Sequence, residues 1–217
     1  MNLGYLAVIT ASIFCLSTPV AAQNTEDSSI SFGFSTFGAS LEGAYRFLPN
    51  WRMRGAITGS NYLASETYNG TKFNVDADLA SLSVLADYYP TSSGWRLSGG
   101  ILVNNSSGHA IATASTTNKI EIDDKTYTSG TVTVDAKFNI KVSPVVTTGY
   151  DYRFGKNWTL SGETGAVYTG GIDLQTTGGT DELQTAIDES VDFKNAKKKA
   201  SEKNIYPYIS VSLSFSF

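Results

Sequence analysis

Tyr206-Pro207-Tyr208-Ile209-Ser210-Val211-Ser212-Leu213-Ser214-Phe215-Ser216-Phe217 alternates strictly between two chemistries. Pro207, Ile209, Val211, Leu213, Phe215 and Phe217 continue the phase of Ile205 on one face of an extended strand. Tyr206, Tyr208 and the serines take the other. A soluble sheet hides its apolar face under a second layer, whereas a closed barrel in lipid turns that face outward and keeps small polar groups inside. The stretch therefore predicts the closing strand of a transmembrane barrel. Its structural competitor is a soluble β-sandwich.

The opposite end of the sequence points to export. Residues 1–22 carry no charged side chain, contain an apolar run from Tyr5 to Leu16, and end Val20-Ala21-Ala22 before Gln23, with small residues where a signal peptidase reads. We expect cleavage after Ala22, leaving residues 23–217 as one barrel domain. The apolar run is shorter than the roughly 20 residues a spanning helix needs, and no later segment approaches that length. Cys15, the sole cysteine, follows Phe14 rather than a small residue, which argues against a lipid anchor. Without it the exported chain forms no disulfide. A closed ladder of backbone hydrogen bonds is the alternative source of rigidity.

Composition fits a membrane protein built without helices. Twenty glycines, twelve tyrosines and a 41% hydrophobic fraction are what alternating lipid and lumen faces produce, and average hydropathy is blind to them. A net charge of -4, with Lys197 to Lys199 as the one basic run, gives no electrostatic case for nucleic acid. One histidine and no cysteine in the exported part, with Asp123-Asp124 lacking calcium-loop spacing, give no case for a metal or other cofactor.

Three short turn signals punctuate the chain: Leu48-Pro49-Asn50 before Trp51, residues 90–94 before Trp95, and Gly155-Lys156-Asn157 before Trp158. Phe47, Tyr88 with Tyr89, and Phe154 precede them. Aromatics on both flanks of a tight turn match a membrane-interface girdle at the short-turn, periplasmic rim. The opposite connections are longer and more polar, over residues 62–72, 105–135 and 174–204. Strands descend to Phe47, Tyr89, Phe154 and Phe217 and ascend from Trp51, Trp95 and Trp158. A barrel with both ends on one side needs an even number, and residues 29–37 supply the missing strand, joined to the next near Phe37-Gly38-Ala39. The fold class predicted is all-β: an eight-stranded antiparallel up-and-down transmembrane β-barrel with one extracellular loop helix.

Within these strands the faces separate. Phe138, Ile140, Val142, Val146, Tyr150 and Tyr152 are assigned to lipid, and Asn139, Lys141, Ser143, Thr147, Asp151 and Arg153 to the lumen. Pro144 cannot donate to a ladder, so a bulge or the end of regular pairing is expected nearby. Val75, Ala77 and Leu79 are out of phase with Leu82, Val84 and Ala86, which predicts a bulge between Leu79 and Leu82.

Leu85-Ala86-Asp87-Tyr88-Tyr89-Pro90, followed by Arg96-Leu97-Ser98-Gly99-Gly100, together with the run from Tyr206-Pro207 to Phe217, resembles small eight-stranded proteobacterial outer-membrane β-barrels of the broad type that includes the OmpA transmembrane domain, OmpX and OmpW. The likeness extends from about Ala39 to the carboxy terminus. It implies the architecture and an outer-membrane address, and it implies that Tyr208, Phe215 and Phe217 form the signal read by the barrel-assembly machinery. It brings no catalytic residue. A polar insert with a helix before the last strand fits the same group.

Projecting the alternation inward places Glu42, Arg46, Arg52, Arg54, Asp78, Asp87, Arg96, Lys141, Asp151, Arg153 and Glu163 in the lumen. An eight-stranded barrel is only wide enough for side chains to fill it, so these groups are expected to neutralise one another as a plug. The competing reading makes Arg46, Arg52, Arg54 and Arg96 an anion constriction near the inner rim. His109, with Ser106, Ser107, Asp123 and Asp124 near it in sequence, is the one candidate for a rim hydrolase, and no nucleophile motif surrounds it. Residues 117–134 read as an extracellular hairpin extending the wall. Residues 180–203 read as a helix: Thr180 caps it, Asp181 and Glu182 open it, Lys197 to Lys199 and Lys203 close it, and Leu183, Ala186, Ile187, Val191 and Phe193 form its apolar stripe.

The functional expectation is a non-enzymatic, monomeric outer-membrane protein with a charge-plugged lumen, in contact with outer-membrane lipid and serving envelope structure or surface contact, including surface ligands, through its outer loops. The alternatives are a narrow porin-like channel or receptor for small solutes, and the rim hydrolase.

Overall fold

The structure, a computed structural model, describes residues 27–68, 71–123 and 125–217. The predicted signal segment with Cys15, the Ala22 cleavage point and Asp124 lie outside the described residues. In chain order the strands are β1 (Ser28–Ser35), β2 (Gly38–Leu48), β3 (Trp51–Tyr68), β4 (Thr71–Tyr88), β5 (Trp95–Asn104), β6 (Ser107–Thr113), β7 (Ile120–Ile122), β8 (Lys125–Tyr127), β9 (Thr131–Phe138), β10 (Val142–Phe154), β11 (Trp158–Tyr168), β12 (Ile172–Gly178) and β13 (Ile205–Ser216). Helices α1 (Asp181–Glu189) and α2 (Val191–Ser201) precede β13.

Eight of these strands close a ring in the order β1, β2, β3, β4, β5, β10, β11, β13, every neighbour antiparallel. The last strand seals the first, with Ser29 opposite Ser216 and Ser35 opposite Ser210. The predicted turns join β2 to β3, β4 to β5 and β10 to β11, and Thr36-Phe37 joins β1 to β2. The ring has no free edge, so every strand finds a ladder partner on both sides. Its outward residues include Phe32, Leu41, Ile57, Val84, Ile101, Val146, Leu160 and Val211, all exposed. Trp51 against Tyr88 and Trp158 against Phe215 pair at the short-turn rim, with ring centroids 4.9 and 5.1 Å apart.

The wall does not stop at the barrel. β3 and β4 pair in one unbroken register from Trp51 opposite Tyr88 to Tyr68 opposite Thr71, about 60 Å of strand at roughly 3.3 Å per residue. That is about twice the hydrocarbon thickness of a bilayer. The upper half of β4 turns to β6, which pairs with β9, which pairs with β12. β5 with β6, β9 with β10, and β11 with β12 are thus bent strands, each broken at the same level: at 105–106, 139–141 and 169–171. Hydrogen bonds hold this seam. Asn105 N donates to Ala80 O at 2.8 Å, Asn104 N to Lys141 O at 2.7 Å, and Ile140 N to Thr169 O at 3.0 Å. Gly170 and Gly171 take positive φ of 67° and 98°, a conformation that L side chains rarely adopt.

Above the seam the sheet opens and needs another cover. Ala112 and Val132 on the sheet, Ile120 and Ile122 of the β7–β8 hairpin, and Leu183 and Ile187 of α1 form a buried cluster, with Phe73, Val134 and Phe193 at its margin. The extension is a small layered unit with its own core.

Several expectations change here. No bulge separates Leu79 from Leu82: inside and outside alternate without interruption along β4, and the apolar character changes face instead. Above the seam the greasy face is the one under the helices. Below it the greasy face is the barrel's outside. Within the segment 62–72, residues 62–68 continue β3 and residues 71–72 already belong to β4, where a loop was expected. The hairpin expected within 117–134 exists at β7 and β8 but stands apart from the wall as a separate two-stranded sheet. The segment 180–203 is two helices, because Ser190 ends α1 and caps α2, accepting from Phe193 N. Thr180 caps α1 as expected, Leu183 and Ile187 are buried, and Val191 is exposed. Pro144 pairs in register opposite Ile101, and the irregularity sits just before it at 139–141.

Candidate functional site

Inward-facing residues of the ring fall into two layers. The lower layer, toward the short-turn rim, is ionic. Arg54 donates from Nε to Asp87 Oδ1 at 2.8 Å and from Nη1 to Glu42 Oε2 at 3.1 Å, and also pairs with Glu163. Arg52 donates to Asp87 Oδ2 at 2.9 Å and lies 3.3 Å from Asp151. Arg96 pairs with Asp151 and donates to Glu163 Oε2 at 2.9 Å. Strands β2, β3, β4, β5, β10 and β11 each contribute, so this layer ties opposite walls together. Isolated charges could not stay in so enclosed a space. The carboxylates remain there because guanidinium forks and hydroxyls surround them. Tyr89 donates to Asp151 Oδ2 at 2.7 Å, Ser161 to Asp151 Oδ1 at 2.8 Å, and Thr147 donates to Glu163.

Small residues make room for the long ones. A Cβ at Gly149 would lie 3.1 Å from Arg96 Cζ and 2.9 Å from Gly162 O, so glycine here leaves the guanidinium its place. Below this layer Arg46 and Arg52 lie over the Tyr89 ring, 4.9 and 5.3 Å from its centroid. Arg153 joins Arg46 and Arg52 around a recess of about 20 Å³ at the short-turn rim, about the room one water needs.

The upper layer is apolar. Leu85, Leu102, Val145 and Val167 point into the ring and pack with Phe37, which the β1–β2 turn folds inward until it is 2% exposed. Phe138, Tyr206 and Tyr208 surround Phe37, with ring centroids 5.2 to 6.4 Å away. Nothing in the hydropathy pattern marked these residues as inner except their phase. Leu102 and Val145 share parity with Arg96 and Asp151, and that parity was the available signal.

Of the residues predicted for the lumen, Glu42, Arg52, Arg54, Asp87, Arg96, Asp151 and Glu163 come together, and Arg46 and Arg153 sit at the mouth. Asp78 does not join them: it lies above the seam on the outward face of β4, where Asn61 Nδ2 donates to it at 2.6 Å. Lys141 does not either, since it falls in the break before β10 and is exposed. The same break reverses the parity of β9, which turns Phe138 from the expected lipid face onto Phe37.

The tail residues divide. Phe215 is outward against Trp158, Phe217 is exposed, and Tyr208 faces the lumen. His109 Nδ1 meets Asp135, while the Ser106 hydroxyl is taken by Ala80 and Asp123 by Ser190. Among the described residues Ser106, His109 and Asp123 are thus held by three separate partners. Among the described residues no three His, Cys, Asp or Glu side chains converge as a metal site.

No family model and no curated protein matches the chain. Solved structures do. The crystal structure of Acinetobacter baumannii CarO2 covers 88% of this chain and 98% of its own at 19% identity and a TM-score of 0.63. That of Acinetobacter baumannii CarO covers 91% of this chain and 100% of its own at 16% identity and a TM-score of 0.62. At this identity the likeness establishes a shared fold.

Proposed function

We propose that this chain is an integral outer-membrane protein whose lumen is closed to solutes and whose working surface is the extension above the seam. The observation that carries the closed reading is the pair of stacked layers, three arginines interlocked with four carboxylates beneath a Phe37-centred apolar plug. Water and ions crossing the ring meet first an ionic lattice and then an apolar constriction.

The membrane reading rests on the outer belt. From Ile205 to Phe215 the outward residues of β13 cover about 34 Å of strand, or roughly 26 Å of height at a tilt near 40°, which matches the apolar band of such barrels. The resemblance to CarO barrels, the exported character of residues 1–22 and the aromatic rim support an outer-membrane address. Lipid is then the partner of the belt, the assembly machinery reads the tail carrying Phe215 and Phe217, and the protein works as a monomer without an enzymatic activity. The β6–β9–β12 sheet with its helices supplies the surface for ligands outside the cell.

Planar-bilayer recording of the refolded chain tests this. Silent membranes are expected at protein levels where heat-modifiable migration on gels verifies a folded barrel. Steady, reproducible openings would replace the closed reading by the narrow-channel one.

A further inference from the structure

The two helices segregate charge in a way that their dipoles alone do not require. α1 carries Asp181, Glu182, Asp188 and Glu189 and no base. Residues 191–203 carry five lysines against Asp192 and Glu202, in a chain whose net charge is -4. Lysines in the last turn of α2 complement its dipole, but Lys194 and Lys197 come earlier and Lys203 lies past its end. Among the described residues none of Lys197, Lys198, Lys199 and Lys203 forms a salt bridge, and all are exposed.

Their height is fixed by the seam. The end of α2 lies on the β11–β12 bend, where a Cβ at Gly171 would stand 2.2 Å from Ser201 O. Thr169 N donates to Asn204 O at 2.8 Å, and the next pair down is Tyr168 with Ile205, both outward and exposed. Tyr168 and Ile205 are the top of the apolar belt. Lys203 therefore stands one to two residues above the top of that belt, at headgroup level on the outer-membrane reading, and Lys199 lies in the last turn of α2 just before it.

We infer that the carboxy-terminal part of α2, through Lys197, Lys198, Lys199 and Lys203, binds the phosphate groups of phosphorylated glycolipids in the outer leaflet and ties the extension to the membrane surface. The inference rests on the outer-membrane reading above. An ammonium cluster next to an apolar belt matches an amphiphile with phosphate at its head and acyl chains beside the barrel wall. A free anion would use only half of that surface.

The test uses the full chain refolded in detergent and a K197Q/K198Q/K199Q/K203Q variant, with heat-modifiable migration as the check of the barrel. Native mass spectrometry counts retained lipid A in its bisphosphorylated and dephosphorylated forms, with excess inorganic phosphate as competitor. The parent chain is expected to retain the bisphosphorylated form at least about tenfold better than the dephosphorylated one, the variant to lose that preference, and inorganic phosphate to leave it intact. If the quadruple variant gives no compact band, K199Q/K203Q replaces it, with a partial loss expected. Equal retention by parent and variant, no preference for phosphate, or displacement by inorganic phosphate overturns the inference while leaving the barrel reading standing. A parent chain with no heat-modifiable form overturns both.

Discussion

Arg54 and Asp87 meet at 2.8 Å across neighbouring strands, with side chains 4% and 0% exposed. Asp87 accepts from Arg52 as well, and Arg54 also serves Glu42 and Glu163, so each group is held by more than one partner. Removing one member leaves the others charged and unmatched. Arg54→Leu is therefore expected to destabilise the barrel by about 3–5 kcal/mol. Asp87→Asn combined with it should cost less than the two single changes added together. Urea titration of the chain refolded into phospholipid vesicles reads both. A cost for Arg54→Leu below about 1 kcal/mol would mean that the lattice is not what braces the walls.

The stacked layers predict that neither alone controls passage. Phe37→Ala removes a ring packed among Phe138, Tyr206 and Tyr208, at an expected cost of about 3–5 kcal/mol. The ionic layer beneath is untouched, so bilayers containing this variant should stay silent. Phe37→Ala with Arg54→Ser and Arg96→Ser breaches both layers, and conductance is expected only there. Openings in Phe37→Ala alone would assign closure to the aromatic plug.

The core above the seam makes a separate prediction. Leu183 is fully buried against the β7–β8 hairpin and the sheet, and its Cδ1 lies where a Cβ at Gly130 would be, 2.4 Å away. Leu183→Ala should cost the extension about 2–5 kcal/mol. Because that core shares no residue with the barrel's inner cluster, the loss should appear as faster proteolysis within residues 105–204, with heat-modifiable migration unchanged. Simultaneous loss of both signals would show that extension and barrel unfold as one unit.

The sequence was most readable where one physical rule held along a whole strand. In β13 an apolar face points outward and a polar face points into a filled lumen from end to end, so alternation alone assigned every residue. Trp51, Trp95 and Trp158 marked the short-turn rim for a similar reason, since a ring that is apolar in body and polar at its tip is most stable where hydrocarbon meets water. β4 misled because two environments act on one strand. Leu79 is inward and half-buried, while Leu82 is outward and exposed on the barrel's apolar face, so hydropathy alone suggests a slip where the chain is regular. Asp78 and Lys141 were misplaced by the same boundary. The ionic layer was legible as a set of inward charges. The Phe37 plug was not, because a turn residue folding back over the lumen has no period, and its partners Phe138 and Tyr206 come from strands distant in sequence.

That boundary separates two classes of exposed apolar residue, and a charge placed on each distinguishes them. Val211 is 55% exposed near the middle of the belt, and Leu63 is 72% exposed on β3 above the seam, opposite Asp76. By exposure alone Leu63 should be the more dangerous site to alter. By environment the order reverses. An arginine at position 211 must sit in hydrocarbon, at a cost of about 2–4 kcal/mol near the midplane. An arginine at position 63 meets water and the Asp76 carboxylate, and its effect should stay within about 0.5 kcal/mol. Urea titration of Val211→Arg and Leu63→Arg refolded into vesicles measures the difference. Equal costs would place both residues in one medium and remove the physical basis for dividing this wall into a lipid-facing barrel and an aqueous extension.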